Sequence, residues 1–279
     1  MLKKTAMFKF HLINSSNNPI FKDLKVFVKN GDHKDFRDLF CVAGLKNNLL
    51  ALQNNCLPHS VFINTQINPK IVNQIKTLIK NHKVRCIQLS QALTSKVNEL
   101  GNGNDVFFYY DKKMIFNRSF VMNNTYNYVL CDHLQDPHNF GAIIRNAAAF
   151  NVAGIFSYGC PNFWNPKLVR ASAGTLFKIP ISLISNWNDF VSVLQKKQLK
   201  LVITARDLLA KPIGEYQNQK GLVVAFGNEG HGLSEEVIKA AHSRVWIKIN
   251  DKVESLNVAS VSGIILYELN QDDHEKNHC

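Results

Sequence analysis

Beyond residue 125 the chain settles into a regular alternation of short apolar runs and longer amphipathic stretches. The runs at 128–131, 154–157, 201–205, 222–226 and 245–249 have the length and the β-branched or aromatic content of buried strands. Interleaved with them, 141–150, 166–176, 187–196, 235–241 and 258–269 carry apolar residues at helical spacing. Strands that alternate with helices in this way pair in parallel with helices on both faces, so the expected class is α/β with a parallel sheet. Ligands of open sheets gather beyond the carboxyl ends of the strands, and the loops leaving those ends are where chemistry is to be sought.

The first part of the chain has a less regular rhythm. Its pattern predicts a helix over 44–54, a strand over 61–64, an amphipathic helix over 70–80 with Ile71, Val72, Ile75, Leu78 and Ile79 on one face, and strands over 86–89 and 106–110. This is a small α/β domain. The stretch 111–127 is Asn-rich, weakly periodic and basic at its start, as a linker would be. The expected division is a small domain over 1–118, a linker over 119–125 and a larger domain over 126–279.

Charge sharpens that division. Residues 1–118 hold 18 Lys+Arg against 7 Asp+Glu, a net of +11, while residues 119–279 hold 15 against 14, a net of +1. Cations collected in one module are what phosphate neutralisation requires, so the small domain is expected to meet a polyanion. With 279 residues, 46% hydrophobic and 19% charged, the chain can bury a sizeable core. No apolar run reaches the roughly 18 residues of a membrane span, and the start is too short in apolar residues for a secretory signal, so a cytoplasmic protein with no membrane partner is expected. The six cysteines are scattered with no C-x-x-C pair, and His133 and His138 lie five apart with nothing nearby to complete a metal site. Reduced thiols and no bound metal are the expectation.

Three strand-end loops are polar and glycine-bearing: 134–150 (LQDPHNFGAIIRNAAAF), 226–237 (FGNEGHGLSEEV) and 250–263 (NDKVESLNVASVSG). In the first, Asn139 opens a helix and Arg145 lies inside it on an otherwise apolar surface, where a cation needs a partner or a cleft. In the second, Gly227, Gly230 and Gly232 surround Asn228 and Glu229, allowing backbone amides to approach a ligand closely. The loop lacks the Lys-Ser/Thr of a phosphate loop and the G-x-G-x-x-G of a dinucleotide fold, and Glu229 would repel a phosphate. In the third, Glu254, Ser255, Leu256 and Asn257 run into a helix start rich in small residues. Taken singly, each loop also admits a structural account: Asn139, Ser255 and Asn257 as helix caps, the glycines as a tight turn, Arg145 as a solvated cation.

Taken together, DPHNFGAIIRNAAAF, AFGNEGHGL and VESLNVASVSGIILYE resemble the three ordered motifs of the SpoU/TrmH branch of the SPOUT RNA methyltransferases. The likeness covers about 126–270 and takes in NPKLVRASAGTLFKIPI at 165–181. SSNNP at 15–19 and FCVAGLKNNLLAL at 40–52 are more loosely similar to the ribosomal-protein-like RNA-binding domain that often precedes this catalytic domain. Two positions depart from the pattern: Lys248 follows Ile247 where the family commonly has Pro, and Asn250-Asp251 replaces a more apolar, glycine-containing stretch.

The resemblance implies a parallel sheet whose C-terminal part is threaded into a trefoil knot, an exception to the rule that chains avoid knots. It implies S-adenosylmethionine as cofactor, with Ala205, Gly227, Asn228, Glu229, Gly230, Ile247, Leu256 and Asn257 as its contacts. It implies catalysis by Arg145, supported by Asn139, Glu229, Ser255 and Asn257, and a homodimer with the site at the interface. The reaction implied is transfer of a methyl group to a ribose 2′-hydroxyl in structured RNA, ribosomal RNA ahead of transfer RNA. Arg145 either accepts the hydroxyl proton in a special environment or stabilises the developing alkoxide while another group takes the proton. Asn139 is expected to fix Arg145 or the RNA backbone, and Ser255 with Asn257 to orient the Arg and the ribose. The rival readings are a base-nitrogen or transfer-RNA methyltransferase, and an RNA-binding assembly factor without catalysis.

Overall fold

The computed structural model describes residues 10–80, 82–99, 104–116, 121–160, 162–205, 209–216 and 219–270. Its first strands and helices are β1 (His11–Ile13), α1 (Pro19–Asn30), β2 (Leu39–Ala43), α2 (Leu45–Gln53), β3 (Ser60–Asn64), α3 (Pro69–Leu78), β4 (Arg85–Leu89), α4 (Gln91–Asn98), β5 (Val106–Asp111) and α5 (Lys113–Phe116). Next come β6 (Tyr128–Asp132), α6 (Pro137–Ala149), β7 (Gly154–Tyr158), α7 (Pro166–Ala171), β8 (Ile181–Leu183) and α8 (Trp187–Lys196). The chain ends with β9 (Lys200–Thr204), β10 (Lys211–Pro212), β11 (Leu222–Phe226), α9 (Glu235–Ala240), β12 (Ser243–Trp246) and α10 (Val258–Leu269).

Two compact units form. The first comprises Met1–Met114 together with Phe163–Lys178, the second Ile115–Asn162 together with Ile179–Cys279. The expected boundary therefore shifts: the segment 163–178, assigned from sequence to the larger domain, packs with the smaller one. The reason is visible in its side chains, since Phe177 is buried against Tyr110 and Phe40 at ring-centroid distances of 5.1 and 6.2 Å. The helix expected over 166–176 stops at Ala171 because Ala173 and Gly174 adopt positive φ of 49° and 85°, after which Thr175–Phe177 forms a 3-10 turn. A β-carbon on Gly174 would come within 2.7 Å of the Leu50 side chain, so both the conformation and the close approach demand glycine. Residues 119 and 120 of the expected linker lie outside the described residues.

The first unit is a five-stranded sheet in the order β1-β4-β3-β5-β2, parallel from β1 through β3 and antiparallel at β5 and β2. Alternation along β5 sends Phe107 and Tyr109 into a core with α1 and α4, and Phe108 and Tyr110 to the other face. Helix α1 has a buried stripe of Phe21, Leu24, Phe27 and Val28, an Asn18 cap whose oxygen accepts from the Ile20 amide, and Gly31 at its left-handed end. Asn48, fully buried on α2, donates to the Val42 and Gly44 carbonyls at 3.0 and 2.8 Å and accepts from the Tyr110 hydroxyl at 3.1 Å.

The second unit is an all-parallel sheet of seven strands in the order β10-β12-β9-β11-β6-β7-β8. Every residue of β6 and β11 is buried, as strands covered on both faces must be. Because β12, β9, β11 and β6 are neighbours, the loops leaving their carboxyl ends emerge side by side. The strand expected at 245–249 begins and ends earlier, at Ser243 and Trp246, leaving Ile247 and Lys248 in the loop. Among the described residues no helix is long and apolar enough to cross a membrane.

Replacing Asn48 by Ala removes the hydrogen bonds of three buried backbone and side-chain groups. It should lower the unfolding free energy by about 2–3 kcal/mol, read from the urea midpoint, and a change below about 0.5 kcal/mol would show that this network carries little stability.

Candidate functional site

The site begins at the end of β6. Asp132 is fully buried, and its carboxylate accepts from the Ser234 amide and the His133 Nδ1 at 2.6 Å each, tying the first loop to the start of α9. Asp136 caps α6 by accepting from the His138 amide at 2.9 Å, and Pro137 supplies the first helical residue. That cap aims the next turn of α6, carrying Asn139, at the other two loops.

Asn139 is the junction of all three. Its Nδ2 donates to Glu229 Oε1 at 2.9 Å, and its Oδ1 accepts from Asn257 Nδ2 at 2.9 Å. Asn257 in turn spends its oxygen on the Ala259 and Ser260 amides at 2.9 and 3.4 Å, capping α10. The other Glu229 oxygen accepts from the Gln135 amide at 3.4 Å. The hydrogen bonds therefore run one way, from the amides of α10 through two carboxamides to one carboxylate.

The glycine loop is shaped by its own backbone. Asn228 and Gly232 exchange amide–carbonyl bonds of 2.8 and 2.9 Å, while the Asn228 side chain donates to the His133 carbonyl at 2.8 Å and accepts from the Gly230 and His231 amides at 2.8 and 3.0 Å. Asn228 thus acts on loop shape, with its carboxamide consumed by protein groups. A β-carbon on Gly227 would fall 2.5 Å from the Gly232 carbonyl, so the loop closes only with glycine there.

Two cavities adjoin these loops. One of about 180 Å³ is lined mainly by apolar groups, among them Ala205, Ile247, Ile249 and Leu256. The other, of about 340 Å³, is more polar and is lined by Gly227, Asn228, Glu229, Ser255 and Asn257 among others. Thr204, Ser255, Leu256 and Val261 face both, so the two are lobes of one depression at the carboxyl edge of the sheet. Its apolar and polar ends suit a ligand with a flat ring system at one end and charged groups at the other. The sequence-predicted Ala205, Gly227, Asn228, Glu229, Ile247, Ser255, Leu256 and Asn257 all line it; Gly230 sits on the outer turn of its loop, exposed.

Arg145 is placed differently from the expectation. It is exposed on α6 and forms no hydrogen bond or ion pair among the described residues. Residues six apart on a helix are about 120° from facing the same way at 3.6 residues per turn, so Asn139 in the first turn does not hold Arg145. Nor do Ser255 and Asn257 orient it, since Asn257 is committed to Asn139 and the α10 cap. The neighbouring Asn146 pins α6 to α10 instead, donating to the Ala259 carbonyl and the Ser262 hydroxyl at 2.9 Å each.

Sequence reasoning missed Asp132, Asn146, Thr204, Trp246 and Val261. Asn146 and Thr204 had a readable signal, a polar residue in an apolar helix and a hydroxyl at a strand end; Trp246 and Val261 read only as core. Cys160, near the end of β7, has its thiol pushed up to about 11 by burial, and Cys131 is also raised, so neither offers a ready thiolate.

Comparison with known proteins gives the arrangement its context. The model of the SpoU rRNA Methylase family matches residues 126–267. An uncharacterised tRNA/rRNA methyltransferase of Synechocystis sp. is 35% identical over 141 residues, which is 50% of this chain and 51% of the relative. The 23S rRNA (guanosine(2553)-2′-O)-methyltransferase RlmP of Bacillus subtilis is 30% identical over 142 residues, 50% of this chain and 56% of that protein. The chain thus spans about half the length of these curated relatives. The crystal structure of an AdoMet-bound rRNA methyltransferase from Sinorhizobium meliloti superposes with a TM-score of 0.80 at 26% identity, covering 94% of this chain and 98% of that one. The SpoU methyltransferase AviRb from Streptomyces viridochromogenes shares the fold, with a TM-score of 0.78 at 20% identity, over 93% of this chain and 99% of its own. A family match across half of the sequence, falling on the loops that Asn139 joins, shows that this chain belongs to the SpoU rRNA Methylase family.

Proposed function

We propose that this protein is a methyltransferase that uses S-adenosylmethionine to methylate a ribose 2′-hydroxyl in structured RNA, ribosomal RNA ahead of transfer RNA. The observation that carries this reading is the Asn139-centred relay closing the polar lobe of a two-lobed depression, on the loops the family model covers. The Bacillus subtilis relative, named as a 2′-O-methyltransferase, favours ribose over a base nitrogen.

The residues present fit the cofactor. The apolar lobe at Ala205, Ile247 and Leu256 accommodates a purine ring, and the polar lobe presents Glu229, a fixed negative charge suited to a cationic ligand. S-adenosylmethionine supplies an activated methyl group on a sulfonium. The knotted threading implied by the resemblance, in which the chain from Gly227 to Val258 wraps this depression, is part of the proposal.

Arg145 acts on the RNA. A guanidinium has five donors and no acceptor, so its contribution is to orient the 2′-oxygen and stabilise the negative charge that develops on it as its proton leaves. Its exposed position, turned away from Asn139, is consistent with service to the site of a second copy in a homodimer. Ile264 and Tyr267 expose apolar surface on α10, which packs on the helix that carries Arg145. The first unit, with the excess of Lys and Arg over residues 1–118, supplies RNA affinity.

Incubated with cellular RNA and methyl-labelled cofactor, the purified protein should transfer label into a form that resists alkaline hydrolysis, because a methylated 2′-oxygen cannot attack the adjacent phosphate. Label recovered solely as methylated base would overturn the ribose assignment.

Arg145→Ala should abolish transfer while cofactor affinity stays within about threefold, and Arg145→Lys should fail as well, since an ammonium cannot reproduce the planar fork of donors. Asn257→Ala should weaken both binding and turnover by breaking the relay and the α10 cap at once. Near-normal turnover by Arg145→Ala would sink the mechanism.

RNA affinity should fall by about tenfold or more between about 50 and 200 mM salt as counterion release loses its drive, while cofactor affinity should change by less than about twofold. Equal salt slopes for the two ligands would show that the basic unit does not bind RNA.

A further inference from the structure

The sheet of the first unit turns Phe62 and Tyr109 toward α1, where the Tyr109 ring lies 4.2 Å from Phe27 and 4.7 Å from Phe62. Together with Phe36 these rings line a cavity of about 60 Å³. Such a space holds about four to six waters at about 10–15 Å³ each, roughly the bulk of one six-membered ring and too little for the two fused rings of a purine. Tyr109 is 6% exposed, and its hydroxyl has no hydrogen-bond partner among the described residues. Leaving a buried hydroxyl unpaired is costly, and a ligand that accepts from it removes that cost. Burial drives the phenol far above its ordinary pKa, so the group remains a donor.

The rim adds matching chemistry. Asp23 offers an acceptor and Arg85 donors at the opening, and Phe36, 43% exposed, leans on the rings of Phe27 and His33 at 6.0 and 5.3 Å. Lys34 and Arg37, both exposed, flank Phe36 on its loop, and Lys22 is exposed on the turn of α1 that bears Asp23. An aromatic slot with hydrogen-bonding groups at its floor and rim, bordered by cations, is the combination by which proteins read unstacked bases of a single strand.

We propose that this cavity takes one unpaired pyrimidine of an RNA strand, with Tyr109 donating to a ring carbonyl, Phe36 stacking on the neighbouring base, and Lys22, Lys34 and Arg37 meeting the flanking phosphates. The proposal rests on RNA as the substrate class and adds a base preference away from the methylation site.

The test measures binding of fluorescein-labelled oligo(U), oligo(C) and oligo(A) to the full chain by anisotropy, with melting temperature, cofactor binding and methyl transfer to cellular RNA read on the same preparations. One or both pyrimidine oligomers should bind about tenfold more tightly than oligo(A), and Phe36→Ala, a surface change, should weaken that binding about tenfold. Tyr109→Phe should erase the preference while the melting temperature holds or rises, because the substitution deletes an unpaired buried hydroxyl. If Tyr109 is merely structural, the same thermal result will come with unchanged affinity for all three oligomers, and the proposal is wrong. Equal binding of oligo(A) and the pyrimidine oligomers by the unaltered protein overturns it too. Methyl transfer without pyrimidine preference removes the cavity and leaves the enzyme reading standing; pyrimidine preference without cofactor binding does the reverse.

Discussion

One side-chain amide, that of Asn139, has to satisfy two neighbours of opposite demand, and the loop geometry of the second unit follows from how it does so. A carboxamide has a donor end and an acceptor end. Asn257 presents its own donor end, because its oxygen is held by the first amides of α10, and Glu229 presents only acceptors. Asn139 can therefore take one orientation, and with it the distance between the first and second loops is fixed. Aspartate at position 139 would have two carboxylates facing each other across the same gap, a repulsion of the kind that relocates a proton or opens a loop. The backbone of a helix on one side of the depression thus sets the position of a carboxylate on the other.

That relay works only because the sheet delivers its members to one place. Parallel neighbours send every connection of like sense off the same edge, so β6, β11 and β12 release the three loops within reach of one another. Gly227 permits the backbone of the second loop to fold against itself, and Asp132 fastens the start of α9 to the end of β6. Both lie within two residues of a strand end, where rigid scaffold passes into adaptable loop.

Much of this was legible beforehand, and what was not has definite physical causes. The strand over residues 222–226 and the helices over 187–196 and 258–269 agree in their bounds with the periodic pattern, because burial of a continuous run or a stripe leaves little latitude. Helix α1 escaped, although Asn18, Pro19 and Gly31 are strong boundary signals, because its apolar stripe is interrupted by lysines on the solvent side. The pairing of Asn139 with both Glu229 and Asn257 could not be read from spacing, since the three are 90 and 118 residues apart along the chain. The direction of Arg145 was misjudged for a different reason: its position on an apolar helix says that it must find water or a partner, and the helix geometry chose water.

The placement of Phe163–Lys178 with the first unit means that the backbone passes between the two units three times, near residues 114, 162 and 178. The units are therefore laced together covalently in a way that no single cut can undo. A gene fragment beginning after the first unit's last strand would still encode Phe177, but without the Phe40 and Tyr110 rings that shelter it, and Gly174 without the Leu50 it packs against. Such a fragment would carry a sticky apolar segment into water. For a lineage of proteins built this way, the two halves are heritable only as a pair: recombination that exchanged one front end for another would have to bring a matching insert in the middle of the back end, so drift in the insert and drift in the small unit must keep step.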